Sequence, residues 1–227
     1  MAIFRSRADV TYDQTHWISG QRRQPLPTFY YHSHFTELLD FVASHYAHTL
    51  LHEHIRFIDE FRGLSRKAQC LYVRLINRKG RVFARNRLRY PELGDRVPLL
   101  DELRHAEWVA APETDDFDVV LSFLTRAEIY AVALPLVPGM SRSLKKAQLV
   151  GFVRDNIDPQ QFMAALDTDR ILVQLRADAV RYLLFLYFGR IRDSLSQFTM
   201  RDLGLVKTQT LQENYEPGFS DRVEALE

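Results

Sequence analysis

The stretch from Ser65 to Gly80 reads SRKAQCLYVRLINRKG. Serine is a favoured helix N-cap and glycine a common helix stop, so the stretch predicts a helix between these two residues. Its apolar residues recur at steps of three and four, which places them on one helical face. They are Ala68, Leu71, Tyr72, Leu75 and Ile76. The basic residues lie largely off this face, so we predict a helix with one buried side and one basic side.

Further helical patterns flank this basic helix. Upstream, apolar residues recur with helical spacing over Tyr30–Leu50 and again over Ile55–Leu64. Downstream, Arg81–Tyr90 partly alternates apolar residues with arginines and ends at Pro91, which predicts a short strand or an extended segment leading to a small helix. An amphipathic helix follows, roughly over Val97–Trp108. This order indicates a winged-helix-like unit, in which a helix or the wing approaches nucleic acid.

A helical hairpin is predicted further along the chain. Thr125 and Glu128 have the spacing of a capping box, which predicts the start of a helix. We expect three residues to break this helix: Pro135, Pro138 and Gly139. The second helix begins near Ser143 and carries Lys145 and Lys146 in its first turn, where backbone N–H groups and ammonium groups together suit a phosphate.

The chain is therefore expected to be mainly α, with little strand. Residues 1–27 lack a sustained apolar period and are predicted to form a tail or arm. Residues 28–111 are expected to form a helical, winged-helix-like DNA-binding domain, and residues 112–157 the hairpin after an acidic linker. Residues 158–227 are predicted to be a further helical segment, helical through Phe188.

Composition excludes several classes of protein. The 227 residues are 46% hydrophobic and 26% charged, which argues against a disordered or collagen-like chain. No apolar run approaches the length of a membrane span, and the first residues lack the apolar core of a signal peptide. The single cysteine, Cys70, cannot form an internal disulfide and is expected to be structural. We expect a cytoplasmic protein, associated with the nucleoid if it is bacterial, without a membrane partner.

Charge is unevenly distributed along the chain. The window Phe61–Pro91 contains ten basic residues and no acidic residue, whereas the rest of the chain holds twenty basic and twenty-nine acidic residues. The ten are Arg62, Arg66, Lys67, Arg74, Arg78, Lys79, Arg81, Arg85, Arg87 and Arg89. Such a window predicts a single basic surface for phosphate groups. The alternative is a solvated, arginine-rich helix without a ligand.

Two patterns bear on metal chemistry. His48 and His52 share a helical face within a cluster that also contains His45 and His54, but Thr49 stands where a zinc protease motif has glutamate. We therefore predict exposed polar histidines. Nucleases of the restriction-enzyme type hold Mg²⁺ or Mn²⁺ with a carboxylate two residues before a lysine. The residues two before the five lysines are Ser65, Asn77, Ser143, Leu144 and Leu205. None is a carboxylate, so we predict no catalytic residue and no metal or cofactor within this chain.

Several blocks resemble the amino-terminal half of the Fanconi-associated nuclease family, whose full-length members carry a VRR-NUC domain. They occur in the family's order over about Thr28 to Gly204. The most specific block runs from Leu71-Tyr72-Val73-Arg74-Leu75 to Arg78-Lys79-Gly80. The others are Tyr30-Tyr31 with His34-Phe35, Leu88 to Leu93, the hairpin over 124–149, Leu186 to Arg190 and Arg201 to Leu205. The hairpin is similar to the family's SAP-type segment.

The resemblance implies a role in DNA repair, including interstrand crosslink repair, and a partner DNA that is branched or carries a 5′ flap. Family members are metal-dependent 5′-flap endonucleases, and the nuclease domain would follow Glu227 or belong to a separate chain. This chain is therefore expected to be inactive alone, with Mg²⁺ or Mn²⁺ needed only by that domain. The resemblance and the basic patterns assign nine residues to DNA binding: Tyr30, Tyr31, Arg74, Arg78, Lys79, Arg81, Arg85, Lys145 and Lys146.

Two other functions fit the same patterns. A winged-helix transcription regulator would prefer one duplex sequence over branched DNA. A protein-interaction scaffold would use its arginines to bind an acidic partner, without binding DNA.

Overall fold

The computed structural model describes residues 10–11, 26–189, 195–196 and 207–208. Within these ranges the helices are α1 (Tyr30–His45), α2 (His52–Gly63), α3 (Arg66–Ile76), α4 (Val97–His105), α5 (Phe117–Phe123), α6 (Arg126–Leu136), α7 (Lys146–Asn156), α8 (Pro159–Ala165) and α9 (Ala177–Phe188). The strands are β1 (Val10–Thr11), β2 (Val82–Ala84), β3 (Val109–Ala110), β4 (Ile171–Gln174) and β5 (Lys207–Thr208). The predicted mainly α fold with little strand is confirmed.

These elements form two compact units. Unit 1 comprises the described residues up to Lys79, Glu92–Ala106 and the described residues from Arg176 onward, and unit 2 comprises Gly80–Pro91 and Glu107–Leu175. The predicted domains 28–111 and 158–227 are continuous in sequence, whereas each unit combines separated segments. Pairing of β4 with both β2 and β3 brings these distant segments of unit 2 together.

Helix α3 packs against both α1 and α4 within unit 1. Its predicted buried face is buried, since Leu71, Tyr72 and Leu75 have no exposed surface. Phe35 of α1 and Phe61 of α2 add an edge-to-face ring pair with centroids 5.0 Å apart. The apolar stripe recognised in the sequence is therefore part of the core of this unit.

The N-terminal cap of α3 is confirmed, but its predicted end is wrong. Ser65 Oγ accepts a hydrogen bond from Ala68 N at 3.3 Å, and Glu102 accepts two from Ser65, from its N and its Oγ, at 2.7 Å each. The helix ends at Ile76 because the Asn77 side chain donates to Val73 O at 2.8 Å and Asn77 occupies the C-cap. Gly80 lies in the following turn.

Two other helices are shorter than predicted. Helix α1 ends at His45, because Thr49 bonds back to Tyr46 O through its N and its Oγ1, both at 2.9 Å, and closes a turn. Helix α4 ends at His105 rather than near Trp108. Glu107 there has a φ of 57°, a left-handed conformation that a right-handed helix cannot continue.

Unit 2 contains a three-stranded antiparallel sheet with the order β2-β4-β3. Phe83 of β2 pairs with Leu172 of β4, and Ala110 of β3 pairs with Val173 of β4. Segment 81–90 forms β2 followed by a 3₁₀ turn over Arg85–Arg87, which agrees with the predicted extended segment. The prediction of continuous helix after residue 158 is wrong at β4. Its four consecutive buried residues give no alternation to mark a strand.

The predicted hairpin is formed by α6 and α7. Thr125 and Glu128 make the capping box that the sequence predicts, since Thr125 Oγ1 accepts from Glu128 N and Glu128 Oε2 accepts from Thr125 N. Pro135 does not end α6, which continues to Leu136, because a proline in a last helical turn removes only one hydrogen bond. Helix α7 starts at Lys146, with Lys145 at its N-cap.

Most of the predicted arm over residues 1–27 lies outside the described residues, except that β1 pairs in an antiparallel manner with β5. Across the described part of the chain, no helix is both long enough and apolar enough to cross a bilayer.

Candidate nucleic-acid interface

The ten basic residues of the window Phe61–Pro91 divide between the two units. Six belong to unit 1: Arg62, Arg66, Lys67, Arg74, Arg78 and Lys79. Four belong to unit 2: Arg81, Arg85, Arg87 and Arg89. The window therefore contributes one basic set to each unit.

Tertiary structure brings acidic residues from outside the window to four of these arginines. The ion pairs, with their N···O distances, are Arg62–Asp40 at 2.7 Å, Arg74–Glu92 at 2.6 Å, Arg81–Asp116 at 2.7 Å and Arg87–Glu128 at 2.8 Å. A guanidinium paired with a carboxylate attracts a phosphate more weakly, because the carboxylate cancels much of its electric field. The basic surface is thus weaker than the sequence indicates.

Arg74 is the most enclosed of the four arginines. Its Nε and Nη2 donate to Glu92 Oε1 at 3.0 and 2.6 Å, and Tyr31 OH donates to the same oxygen at 3.2 Å. The guanidinium carbon lies 3.9 Å from the centroid of the Tyr31 ring, which adds a cation–π contact. The Arg74 and Glu92 side chains are only 29% and 14% exposed. Arg74 and Tyr31 thus lie in contact, and both side chains donate to Glu92 within unit 1.

The pKa values of this network follow from burial and contact. Burial by itself would raise the pKa of the Glu92 carboxyl, but hydrogen bonds from a backbone N–H and from Arg74, with the charge of Arg74, hold it below its ordinary value. Burial raises the pKa of the Tyr31 hydroxyl, and it also raises the pKa of the Cys70 thiol. Cys70 is therefore a protonated core residue at neutral pH, in agreement with the expected structural role.

The lowered pKa of Glu92 predicts acid sensitivity. The carboxylate binds its proton less readily in the folded state than in the unfolded state, so its stabilising effect is present at neutral pH. That stability is lost as pH falls from the ordinary carboxyl range through the folded pKa. We expect Glu92→Gln to be less stable at neutral pH and to lose less stability on acidification. Urea unfolding at a series of pH values measures this, and parallel profiles for the two proteins would contradict it.

Exposed cations lie near both ends of α3. Arg66 and Lys67 occupy its first turn, and Arg78 and Lys79 follow its last turn. The spacing of Arg74 and Arg78 predicts that they share a helical face, and this is wrong because α3 ends before Arg78. The Arg66 guanidinium carbon lies 5.7 Å from the centroid of the Phe29 ring.

Tyr30 is partly buried at the start of α1. Its ring contacts those of Tyr31 and His34 edge-on, at centroid distances of 5.6 and 5.4 Å. The two predicted tyrosines therefore lie beside each other, with Tyr31 the more deeply buried.

The predicted DNA-binding residues of unit 2 differ in the contacts that their side chains make. Arg81 is paired with Asp116, and Arg85 Nη1 lies 3.4 Å from Asp169 O. Lys146 Nζ donates to Ser122 O at 2.8 Å. Lys145 is exposed at the N-cap of α7, where the positive end of the helix dipole adds to its charge.

Residues that sequence reasoning missed include Glu92 and Gln69. Gln69 Nε2 donates to Phe61 O and Leu64 O at 2.9 and 3.0 Å, and its Oε1 lies 2.7 Å from His32 Nε2. It thereby holds the turn between α2 and α3. No local pattern marks either residue, because their partners lie in other elements.

The histidine cluster is only partly exposed. His48 and His52 are exposed, but His54 is buried, accepts a hydrogen bond from Leu51 N at 3.2 Å and stacks on Tyr182 at 4.2 Å between centroids. The prediction of an exposed histidine is therefore wrong for His54. Among the described residues, no group of three or more metal-binding side chains has an arrangement that could hold a metal ion.

Comparison with known proteins tests the family resemblance. A family model described as "FAN1, HTH domain" matches residues 29–110, from the N-cap of α1 to the end of β3. A Fanconi-associated nuclease 1 homolog of Pseudomonas aeruginosa is 26% identical over 203 residues, which is 85% of this chain. The chain is thus similar, over most of its length, to a Fanconi-associated nuclease 1 homolog. A second Fanconi-associated nuclease 1 homolog, from Arabidopsis thaliana, is 25% identical over 223 residues, which is 92% of this chain.

Two solved structures of paFAN1 are also similar to this chain. The chain is similar to a crystal structure of paFAN1 bound to DNA with a 2-nucleotide 5′ flap and a gap, with a TM-score of 0.75, 25% identity and 89% of this chain covered. It is also similar to paFAN1 bound to DNA with a 1-nucleotide 5′ flap and a gap, with a TM-score of 0.73, 25% identity and 88% covered.

The chain spans only part of these Fanconi-associated nucleases. It covers 36% of the Pseudomonas aeruginosa relative, 25% of the Arabidopsis thaliana relative and 38% and 37% of the two paFAN1 chains.

Proposed function

We propose that this chain binds branched DNA carrying a 5′ flap, as the N-terminal module of a Fanconi-associated-nuclease-like repair protein. The observation that carries the proposal is the similarity of 89% of the chain to a protein solved with 5′-flap DNA. The exposed cations beside α3 and at the start of α7 support it, because ammonium and guanidinium groups suit phosphates.

Binding is proposed to depend on the DNA backbone rather than on base sequence. Lys79 and Lys145 are exposed point charges, and Arg78 is an exposed forked donor. Such groups contact phosphates of any sequence, so selectivity for a flap has to come from the shape of the branched duplex. Arg74 and Tyr31 would contribute through the shape of the surface that their contacts with Glu92 maintain.

Cleavage is proposed to require a nuclease domain with the carboxylate-x-lysine motif, which would hold Mg²⁺ or Mn²⁺. None of the five lysines of this chain has a carboxylate residue two positions before it. Interstrand crosslink repair and a location with the nucleoid are part of the same proposal, since they follow from the family's role in DNA repair.

Fluorescence anisotropy with labelled DNA tests the proposal. A duplex with a 5′ flap and an unbranched duplex of the same length and sequence are titrated at several salt concentrations. We expect tighter binding to the flap, an affinity that falls steeply with salt, and no cleavage when Mg²⁺ or Mn²⁺ is added. Tighter binding to the unbranched duplex than to the flap would indicate a protein that recognises linear DNA, such as a transcription regulator, and absence of binding to either DNA would indicate a protein-interaction scaffold. Either result overturns the proposal.

A further inference from the structure

The loop that precedes α7 is held by two side chains of α6. Arg126 donates from Nε to Leu144 O at 2.7 Å and from Nη2 to Arg142 O at 2.6 Å. Tyr130 donates from its hydroxyl to Ser141 O at 3.0 Å and to Leu144 O at 3.3 Å. We call Arg126 and Tyr130 the loop clasp.

The two side chains of the loop clasp also contact each other. Tyr130 is only 9% exposed, and the Arg126 guanidinium carbon lies 5.0 Å from the centroid of its ring. The two side chains therefore support each other through a cation–π contact while they donate to three carbonyl groups. A loop containing Pro138 and Gly139 would otherwise lose much conformational freedom on binding a ligand.

The clasp also determines which charges the loop presents. Carbonyl oxygens carry partial negative charge, and those of residues 141, 142 and 144 are directed toward the clasp. The adjoining N-cap residue of α7 is Lys145, which is exposed. On its other side, Lys146 fastens the first turn of α7 to the end of α5 through Ser122 O. The start of α7 is thus held with the Lys145 side chain exposed to solvent and the carbonyl groups of the preceding loop directed toward the clasp.

We infer that Arg126 and Tyr130 are positioning residues, which hold Lys145 in place to bind a DNA phosphate. Tyr130 itself does not contact the DNA. This inference rests on the proposed function. Tyr130 is the informative member because it is neutral and buried, so deleting its hydroxyl changes no charge at the surface. Arg126 is exposed and charged, and its direct and indirect effects have to be separated.

The experiment compares Tyr130→Phe with Tyr182→Phe. Both substitutions delete a hydroxyl that donates to a backbone carbonyl, and Tyr182 donates to Thr49 O in unit 1. The full chain and its variants are titrated with the 5′-flap duplex across a salt series, with thermal unfolding of each variant as a check on folding. We expect Tyr130→Phe to bind about threefold more weakly, as expected for the loss of about one hydrogen bond, and Tyr182→Phe to bind like the parent.

A double-mutant cycle with Lys145→Ala completes the test. Lys145→Ala should lower the magnitude of the salt slope by about 0.9, the value for one phosphate contact. Tyr130→Phe should add no further loss in the Lys145→Ala background. Arg126→Lys keeps the charge but cannot reproduce the forked donation, so we expect it to weaken binding as Tyr130→Phe does.

Three outcomes would overturn the inference alone, given that the parent chain binds the flap. They are unchanged binding by Tyr130→Phe, losses that multiply in the double variant, and full binding by Arg126→Lys. If the parent chain itself does not bind, the proposed function fails instead. Thermal unfolding shows whether a loss of binding by Tyr130→Phe is caused by misfolding. If it is, Arg126→Lys provides the independent test.

Discussion

Replacing Arg78 and Lys79 together by glutamate is expected to weaken binding of the 5′-flap duplex by on the order of a hundredfold. Both side chains are exposed after the end of α3, and the double change replaces two positive charges with two negative charges. Phosphates are then repelled where they were attracted, and fewer counterions are released on binding. Anisotropy titrations over a salt series measure both the affinity and its slope.

A charge-matched control separates a local contact from a general effect of net charge. Arg56 and Arg181 are also exposed residues of unit 1, 66% and 65% by side chain, and both form pairs close in sequence. Reversing these two changes the total charge by the same amount. We expect this control to bind much more tightly than the Arg78/Lys79 variant. Equal losses would show that Arg78 and Lys79 are not phosphate contacts.

Glu92→Ala is expected to have the largest effect on stability. The substitution removes the carboxylate oxygen that accepts hydrogen bonds from both the partly buried Arg74 guanidinium and the Tyr31 hydroxyl. Removing one member of an enclosed ion pair costs about 3 kcal/mol, because the charge of the other member loses its counter-charge. For a protein of this size, we expect Tm to fall by about 10 °C. Differential scanning calorimetry and urea unfolding provide the measurements.

The Arg62–Asp40 pair is a suitable comparison for Glu92→Ala. It has a similar N···O distance of 2.7 Å, but its side chains are 48% and 60% exposed. Asp40→Ala should therefore change the free energy of unfolding by less than about 1 kcal/mol. Equal effects of the two substitutions would contradict the assignment of Glu92 as the organising carboxylate of the network.

How much of the fold is predictable depends on the range of the interactions. The Ser65 cap, the apolar stripe of α3 and the Thr125–Glu128 capping box are confirmed, because each involves residues within one or two helical turns. The strand β4 is not predictable in this way. Its four residues are all buried, and only pairing with β2 and β3 makes the segment extended.

The candidate site shows the same division. The local pattern of a helix start predicts Lys145 as a phosphate-binding residue, and the structure places it, exposed, at the N-cap of α7. The clasp residues Arg126 and Tyr130 act on carbonyls 11 to 18 residues away, so no spacing pattern reveals them. Their role becomes visible only when the loop is seen against α6.

By itself, the sequence determined that the chain has an amphipathic basic helix, a capped helical hairpin and a block typical of Fanconi-associated nucleases, since these features depend on neighbouring residues. Only the tertiary structure decided which basic residues keep their charge available. Asp40, Glu92, Asp116 and Glu128 lie 18 to 41 residues from the arginines they pair with. Electrostatic interaction depends on separation in space rather than along the chain, so a window without acids in sequence is not a surface without acids.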